Sequence, residues 1–487
     1  MSSDRLSEAQ RRGVRELLRI APVIDELGAR FQSAGMPLAL VGGSVRDALL
    51  GRLGHDLDFT TRARPDEIER LLTGWADATW DIGRDFGTIG ARKGEWTIEI
   101  TTFRAESYDP ESRKPTVTYG DTLDGDLGRR DFTVNALAVT LPVTRPERVF
   151  VDPYGGVTDL VAGVLRTPGT PEASFTDDPL RMLRAARFAS QLGFAVAPEV
   201  VEAIRAMAER ISIVSAERVR DELVKLVCGA HPRAGLELLV STGLADQVLP
   251  ELPALRLEVD EHHRHKDVYE HSLTVLEQAI AQEQRVRTDG AADFVTRFAA
   301  LMHDIGKPAT RRFEGGGRVT FHHHEVVGAK MTAKRMRALR FSGEQIHDVA
   351  RLVELHLRFH GYGGGEWTDS AVRRYVRDAG PLLDRLHVLT RADCTTRNKR
   401  KAAALQRTYD QLEDRISRLA EEEEINRIRP DLDGNAIMEL LGVGPGPIVG
   451  RAWRHLLEVR LDQGPQDPEA VRAELLRWWK DQPESSG

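Results

Sequence analysis

The sequence predicts a multidomain α+β chain: a mixed α/β head followed by helical segments that run to the end. Three observations carry this. At 487 residues the chain exceeds what one hydrophobic core organises, and three or four domains are expected. Roughly the first 170 residues alternate strand-like and helix-like runs. From about Asp177 onward strand signals nearly vanish, and apolar residues recur at helical spacing.

The head reads in order. "MPLALVGG" is an apolar run closed by glycines, "VRDALL" is helical, "LDFTT" is a short strand and "PDEIERLLTGW" a helix. "TIGARKGEWTIEITTFR" predicts two strands around Lys93-Gly94. The polar stretch "RAESYDPESRKPTVTYGDTLDGDLGRRDF", rich in Gly, Pro and charge, reads as a mobile linker. Next, "DDPLRMLRAARFASQLGF", "PEVVEAIRAMAERI", "SAERVRDELVKLVCG" and "PRAGLELLVSTG" each repeat apolar residues at helical spacing and stop at Gly or Pro. Histidines concentrate between His262 and His360, marking a separate helical module. The remainder is helical and charged, with "LGVGPGPIVG" as a turn between helices around Gly444 to Gly446; the acidic run Glu421 to Glu424 is a solvated face. Boundaries follow at 1–170 (head), 171–250 (helical neck), 251–400 (histidine module) and 401–487 (helical tail).

A net charge of −7 excludes a basic nucleic-acid coat, so a polyanion must be met by local patches. Two cysteines, Cys228 and Cys394, without CxxC spacing exclude a disulfide framework and fit a reducing cytoplasm. The charged N-terminus has no signal-peptide core, and no stretch approaches the roughly 20 apolar residues of a membrane span, so a soluble intracellular protein is expected.

Residues two apart on a strand share a side, so Asp56 and Asp58 of "HDLDF" present two carboxylates to one point, a donor set suited to Mg²⁺. Gly42 and Gly43 stand between strand and helix, where missing side chains let phosphates approach backbone N–H groups. The run is neither GxxxxGK[ST] nor GxGxxG. Glu99 of "TIEITTF" is a candidate third carboxylate. In "TDDPLRMLRAARF", Pro179 suits the first helical position and Asp178 the N-cap. Arg181 opposes the helix dipole and calls for an anionic or hydrogen-bonding partner. Arg181, Arg184 and Arg187 share one flank, opposite Met182, Ala185 and Ala189, so one face should pack while the other presents guanidiniums.

Taken in order, "GGSVRDALLG", "HDLDFTT", "GRRDFTVNALAV", "DPYGGVTDL", "FTDDPLRMLRAARFA" and "ERVRDELVKLV" resemble the motifs of class II tRNA CCA-adding enzymes and bacterial poly(A) polymerases, within the polymerase-β-like nucleotidyltransferases. The resemblance runs through about residues 37 to 228. It implies template-independent addition of CCA to the tRNA 3′ end from CTP and ATP by two-metal nucleotidyl transfer, with Mg²⁺ on Asp56 and Asp58. It implies that Asp178 accepts from the base amino group and Arg181 donates to ring acceptors. Arg184 and Arg187 would reach phosphates or neighbouring template groups; Gly42, Gly43 and Arg46 the triphosphate; Arg130 the nucleotide; and Asp131 the ribose. The polar linker would correspond to the loop that helps switch from C to A, with Arg104 and Glu106 at its start.

The order His271, His303-Asp304 ("LMHDIGKP"), His322 to His324, His356 and Asp393 resembles the HD phosphohydrolases. That likeness implies a metal on His271, His303, Asp304 and Asp393, with His324 and His356 placed for a second ion. Imidazole with carboxylate suits Ni²⁺, Mn²⁺, Fe²⁺ or Zn²⁺. The expected chemistry is removal of phosphates from RNA ends. RNA would be held by positive patches at Arg391 to Lys401, the neck arginines, Arg451 and Arg454, while Trp453, Trp478 and Trp479 either stack on bases or fill a core. Poly(A) synthesis, partial CC or A addition, and an HD phosphohydrolase with a non-catalytic RNA-binding head stay open as alternatives; oligomeric state is not legible.

Overall fold

The computed structural model describes residues 2–81, 83–107, 116–120, 122–141, 149–256, 267–314, 319–361, 368–395, 399–423 and 429–486. The chain forms two compact units, Met1–Pro253 and Ala254–Gly487.

The first unit is organised by β1 (Leu38–Val41), whose four apolar residues are all buried. On one side β1 pairs antiparallel with β2 (Asp56–Thr61), Leu40 opposite Phe59. Next to β2 lies β5 (Trp96–Thr102), which runs parallel to it and sets Glu99 opposite Asp58; β4 (Thr88–Lys93) and then β3 (Ala78–Trp80) follow, each antiparallel to its neighbour. β5 is an alternating strand: Trp96, Ile98, Ile100 and Thr102 are buried, while Thr97, Glu99 and Thr101 face the other way. The hairpin of β6 (Arg104–Ser107) and β7 (Thr116–Tyr119) stands apart from the main sheet. β8 (Ala138–Leu141) and β9 (Val149–Val151) complete it, giving the order β3-β4-β5-β2-β1-β8-β9.

The polar stretch after residue 103 is therefore not a uniform linker. "TVTY" carries β-branched and aromatic residues that favour strand pairing, and the helix Leu123–Gly128 follows, capped by Thr122. Residues 108–115 and 121, and the side chains of Arg104 and Glu106, lie outside the described part.

Helices close the unit. Leu180–Leu192 packs on Ala216–Val227 and Pro232–Ser241 and buries Met182, Leu183, Ala185, Ala186 and Ala189. Each large apolar side chain removed from water there contributes roughly 1.5–3 kcal/mol.

In the second unit, Val268–Gln282, Phe294–Met302, His324–Ala338, Gly343–Leu355 and Leu383–Ala392 carry the histidine and aspartate motifs. The 25-residue helix Lys399–Glu423 follows. Three short helices, Gly434–Leu441, Pro447–Gln463 and Pro468–Lys480, close on a small core of Ile437, Ala452, Leu456, Val471 and Leu475. The turn between the first two spans Gly444 to Gly446. Trp478 packs against that core and stacks on His455, whereas Trp453 is 39% exposed. Arg391 is not an RNA-facing cation: it is buried and bonded to Gln406, Asp410 and Glu413, because its helix turns that side chain onto Lys399–Glu423. Arg451 pairs with Glu484, and Arg454 donates to the Gly450 carbonyl. Among the described residues, no helix is long and apolar enough to cross a membrane.

Candidate functional site

The first unit holds a cavity of about 600 Å³. Gly42, Gly43, Arg46, Asp58, Arg130, Asp131, Asp178, Arg181, Arg184 and Arg187 all line it, as does Glu99. Asp56 does not. It occupies the exposed first position of β2, on the same side as Asp58 but outside the lining. Seven arginines and four carboxylates face the space, a balance suited to a polyphosphate carried with a cation.

Local sequence explains how the cavity's floor is built. Gly42 sits at φ +66, ψ −130, open to glycine, and an added Cβ would lie 2.7 Å from the Arg130 Nη1. The gap left by this glycine thus admits a guanidinium. Ser44, the third residue of the motif, donates from Oγ to the Asp56 carbonyl at 3.4 Å and accepts from the Asp58 N–H at 2.9 Å, locking helix Gly43–Leu50 to β2. Arg46 donates to Asn135 Oδ1 at 2.6 Å and to Asp47. Burial pushes the Asp58 carboxyl up to about 6; Arg130 opposes this, while Glu99 and Asp56 add to it. A carboxylate held up by burial and two like charges is one that a divalent cation would relieve, so this donor set fits magnesium.

The arginine flank forms a wall of the cavity: Arg181 and Arg187 are buried because the helix Leu180–Leu192 is packed around most of its circumference. Arg181 finds the partners its position demands, donating to Ser174 Oγ at 3.0 Å and to the Arg129 carbonyl at 2.5 Å. Arg184 donates to Asp131 Oδ2 through Nε and Nη2, and Arg187 lies 3.1 Å from Glu222. Burial, reinforced by Arg184, lowers Arg187 to about 10. Asp131 lines the cavity and is also bonded within it. Its Oδ1 accepts from Phe132 N and Asn135 Nδ2, its Oδ2 from Arg184, and these partners hold it far below the carboxylate range despite burial. Asp178 accepts from Leu180 N at 3.1 Å, the expected capping contact, although the helix itself begins at Leu180; its other oxygen takes Arg218 Nη2 at 2.8 Å.

The second unit gathers six side chains. His271, His303 and Asp393 form one triad, and Asp304, His324 and His356 another, each with its ligand atoms within 4.8 Å of one another. His303, His356 and Asp393 sit at helix C-caps, where carbonyl dipoles favour a cation. Of the three consecutive histidines, His322 and His323 are exposed and only His324 joins the cluster. The tautomers are fixed by geometry. Nδ1 of His303, His324 and His356 meets the carbonyl of Ala300 (2.8 Å), Phe321 (2.9 Å) and Val353 (2.6 Å), and a carbonyl only accepts. Each Nε2 thereby points inward, toward the position a metal would take. His324 Nε2 then faces Asp304 Oδ1 at 3.2 Å, acceptor against acceptor, and the buried His356 Nε2 has no hydrogen-bond partner. Such a set fits a transition metal.

The charges agree. Burial opposes charge on His303, yet Asp304 and Asp393 raise it to about 9, while burial and the His303 charge hold His356 neutral down to about 3. Lys307 of the same motif reaches Asp304 Oδ2 at 2.9 Å. Gly306 lets the backbone of His324 approach: a Cβ there would sit 2.1 Å from the His324 carbonyl. Gly306→Ala is therefore expected to displace His324, lower bound metal and cost about 1–3 kcal/mol, read by metal analysis and thermal melting.

Sequence reasoning missed Ser44, Asn135, Arg218, Glu222 and Lys307. Arg218 and Glu222 stand in "ERVRDELVKLV", but only long-range contacts reveal what they touch; Lys307 of "HDIGKP" pairs with Asp304 one helical turn back.

Comparison with known proteins follows the same division. A model of the poly(A) polymerase head domain matches residues 38–166, one described as a probable RNA and SrmB-binding site of polymerase A matches 193–255, and the HD domain matches 268–398. The A-adding tRNA nucleotidyltransferase of Deinococcus radiodurans is 34% identical over 455 residues, 92% of this chain and 96% of that one. The CCA-adding enzyme of Bacillus subtilis is 42% identical over 216 residues, covering 44% of this chain and 52% of its own. Among solved structures, the Bacillus stearothermophilus CCA-adding enzyme in complex with CTP has a TM-score of 0.63 at 22% identity, covering 94% of this chain and 98% of that chain. The Thermotoga maritima CCA-adding enzyme complexed with tRNA gives 0.58 at 18%, covering 94% and 95%.

Proposed function

This chain belongs to the tRNA nucleotidyltransferase family, and from that membership we propose that it completes the CCA end of tRNA from CTP and ATP. The observation that carries the reading is the cavity itself, which joins the glycine turn, the carboxylates of β2 and β5 and the helix Leu180–Leu192. Asp58, with Asp56 at its rim and Glu99 beside it, would hold Mg²⁺. Bound there, magnesium lowers the pKa of an attacking 3′-hydroxyl and neutralises the leaving pyrophosphate. Arg46 and Arg130 line the phosphate side, and the glycine turn leaves them room. Asp178 and Arg181 present an acceptor and a planar donor for a base edge. Arg218 already occupies one Asp178 oxygen, so an incoming amino group shares or displaces that pair. Asp131 and Glu222 keep Arg184 and Arg187 extended along the wall.

The six-residue cluster of the second unit would hold Ni²⁺, Mn²⁺, Fe²⁺ or Zn²⁺ and act on terminal phosphates of RNA; the inward-facing Nε2 atoms support this. A second reading of the transfer reaction, addition of the final A alone, is favoured by one observation: the relative aligned over 92% of the chain is A-adding. An extension assay separates them. With tRNA lacking its last three nucleotides, CTP alone should add two residues, and CTP with ATP should add three and stop. Incorporation confined to ATP on tRNA ending in CC establishes the second reading, and a homopolymeric A tail overturns both.

A further inference from the structure

The groove between the helices His324–Ala338 and Gly343–Leu355 encloses about 720 Å³ and belongs to neither site above. Its floor is small and apolar, with Val326, Ala329 and Ala333 on one side and Ile346 and Ala350 on the other. Its rim is cationic. Arg351 is spent on Glu354 and the Asp378 carbonyl. Lys330 and Arg337, by contrast, have no carboxylate partner among the described residues, and neither does Lys334, exposed on the same flank.

The spacing is the informative part. Lys330, Lys334 and Arg337 are neighbours at i, i+4 and i+7, so they form a row about 10 Å long. Like charges at i, i+4 destabilise a helix by a few tenths of a kcal/mol per pair. Cations in a last helical turn offset this through the dipole, which accounts for Arg337 but not for Lys330, two turns from the end of the helix. An unneutralised row beside an apolar floor, in a chain of net charge −7, is complementary to a polyanion whose phosphates alternate with groups that can turn a C–H edge to the floor.

We propose that this groove holds the ribose–phosphate backbone of the RNA substrate, the cations on phosphates and the alanine floor against sugar. This rests on the reading of the chain as a tRNA enzyme, and adds an RNA contact in the second unit to the matched RNA-binding region at 193–255. Phosphate contacts of this kind position a substrate without reading its sequence.

The test compares full-length wild type with the triple variant Lys330→Ala, Lys334→Ala, Arg337→Ala. Binding of tRNA lacking its CCA end is followed by fluorescence anisotropy from about 50 to 200 mM salt. Loss of three phosphate contacts should flatten the slope of log affinity against log salt by about 2 to 3 and weaken low-salt binding at least about tenfold. The charge-keeping variant Lys330→Arg, Lys334→Arg, Arg337→Lys should restore both. An unchanged slope in the alanine variant overturns the inference and returns the groove to another class of partner, while the tRNA reading stands. A wild type that binds no tRNA at any salt overturns that reading and the inference with it.

Discussion

Replacing Asp58 with asparagine should lower nucleotide incorporation into tRNA by at least about 10²-fold, the loss that follows removal of one preorganised electrostatic partner. Asp58 stands in register with Glu99 and on the same side as Asp56, so the substitution removes the carboxylate that lines the cavity while leaving its neighbours in place. The same change should stabilise the metal-free protein, for a reason that fixes its pH dependence. The folded-state pKa, about 6, lies above the ordinary 3.8, so the folded chain binds more protons than the unfolded chain between those values. Stability contributed by this group is therefore present below about pH 4 and lost as pH rises through about 6, on the order of 3 kcal/mol. Melting in chelator should show wild type and Asp58→Asn alike near pH 4 and the variant more stable at pH 7, with Mg²⁺ closing the gap. Equal melting at pH 7 in chelator, or full incorporation by the variant, would count against Asp58 as the central ligand.

Asp304→Ala carries the second large effect: the second unit should lose its transition metal, while incorporation of CTP and ATP persists. Asp304 is buried and reaches His303, His324 and Lys307, and despite burial the charges of His303 and Lys307 hold it well below the usual carboxylate range. Removing it takes away a buried carboxylate that His303 and Lys307 share, a loss of about 3–5 kcal/mol in that unit. Metal content of the purified full-length chain reads the first consequence and its melting profile the second. Stoichiometric metal in the variant would remove Asp304 from the ligand set; lost incorporation with an intact first unit would contradict separate roles for the two sites.

What could be read before the structure depended on range. The alternation of "WTIEITT" and the apolar run "LALV" told of strands, and the Thr-Asp-Asp-Pro start told where a helix begins, because these signals act within a few residues. The cavity residues were legible for the same reason: a glycine pair, an Asp-x-Asp and an arginine row are short patterns. Destinations were not legible. Nothing local distinguishes Arg184, which is tied to Asp131 across 53 positions, from Arg391, which is buried against the following helix. The linker was misread because its Gly, Pro and charge outweighed the strand signal of "TVTY", whose pairing partner Arg104–Ser107 carries no such signal.

The sequence by itself thus determined the α/β head, the helical remainder and the chemical kinds gathered in each site, since periodicity, caps and turn residues are properties of neighbouring positions. Only tertiary structure decided which charges face the cavity and which are consumed in holding it. Carbonyls three residues back hold Nδ1 of His303, His324 and His356, but only the packing of distant helices brought these rings together with Asp304 and Asp393. Ion pairing and burial are set by groups far apart in the chain, and those distances are fixed only when the core closes.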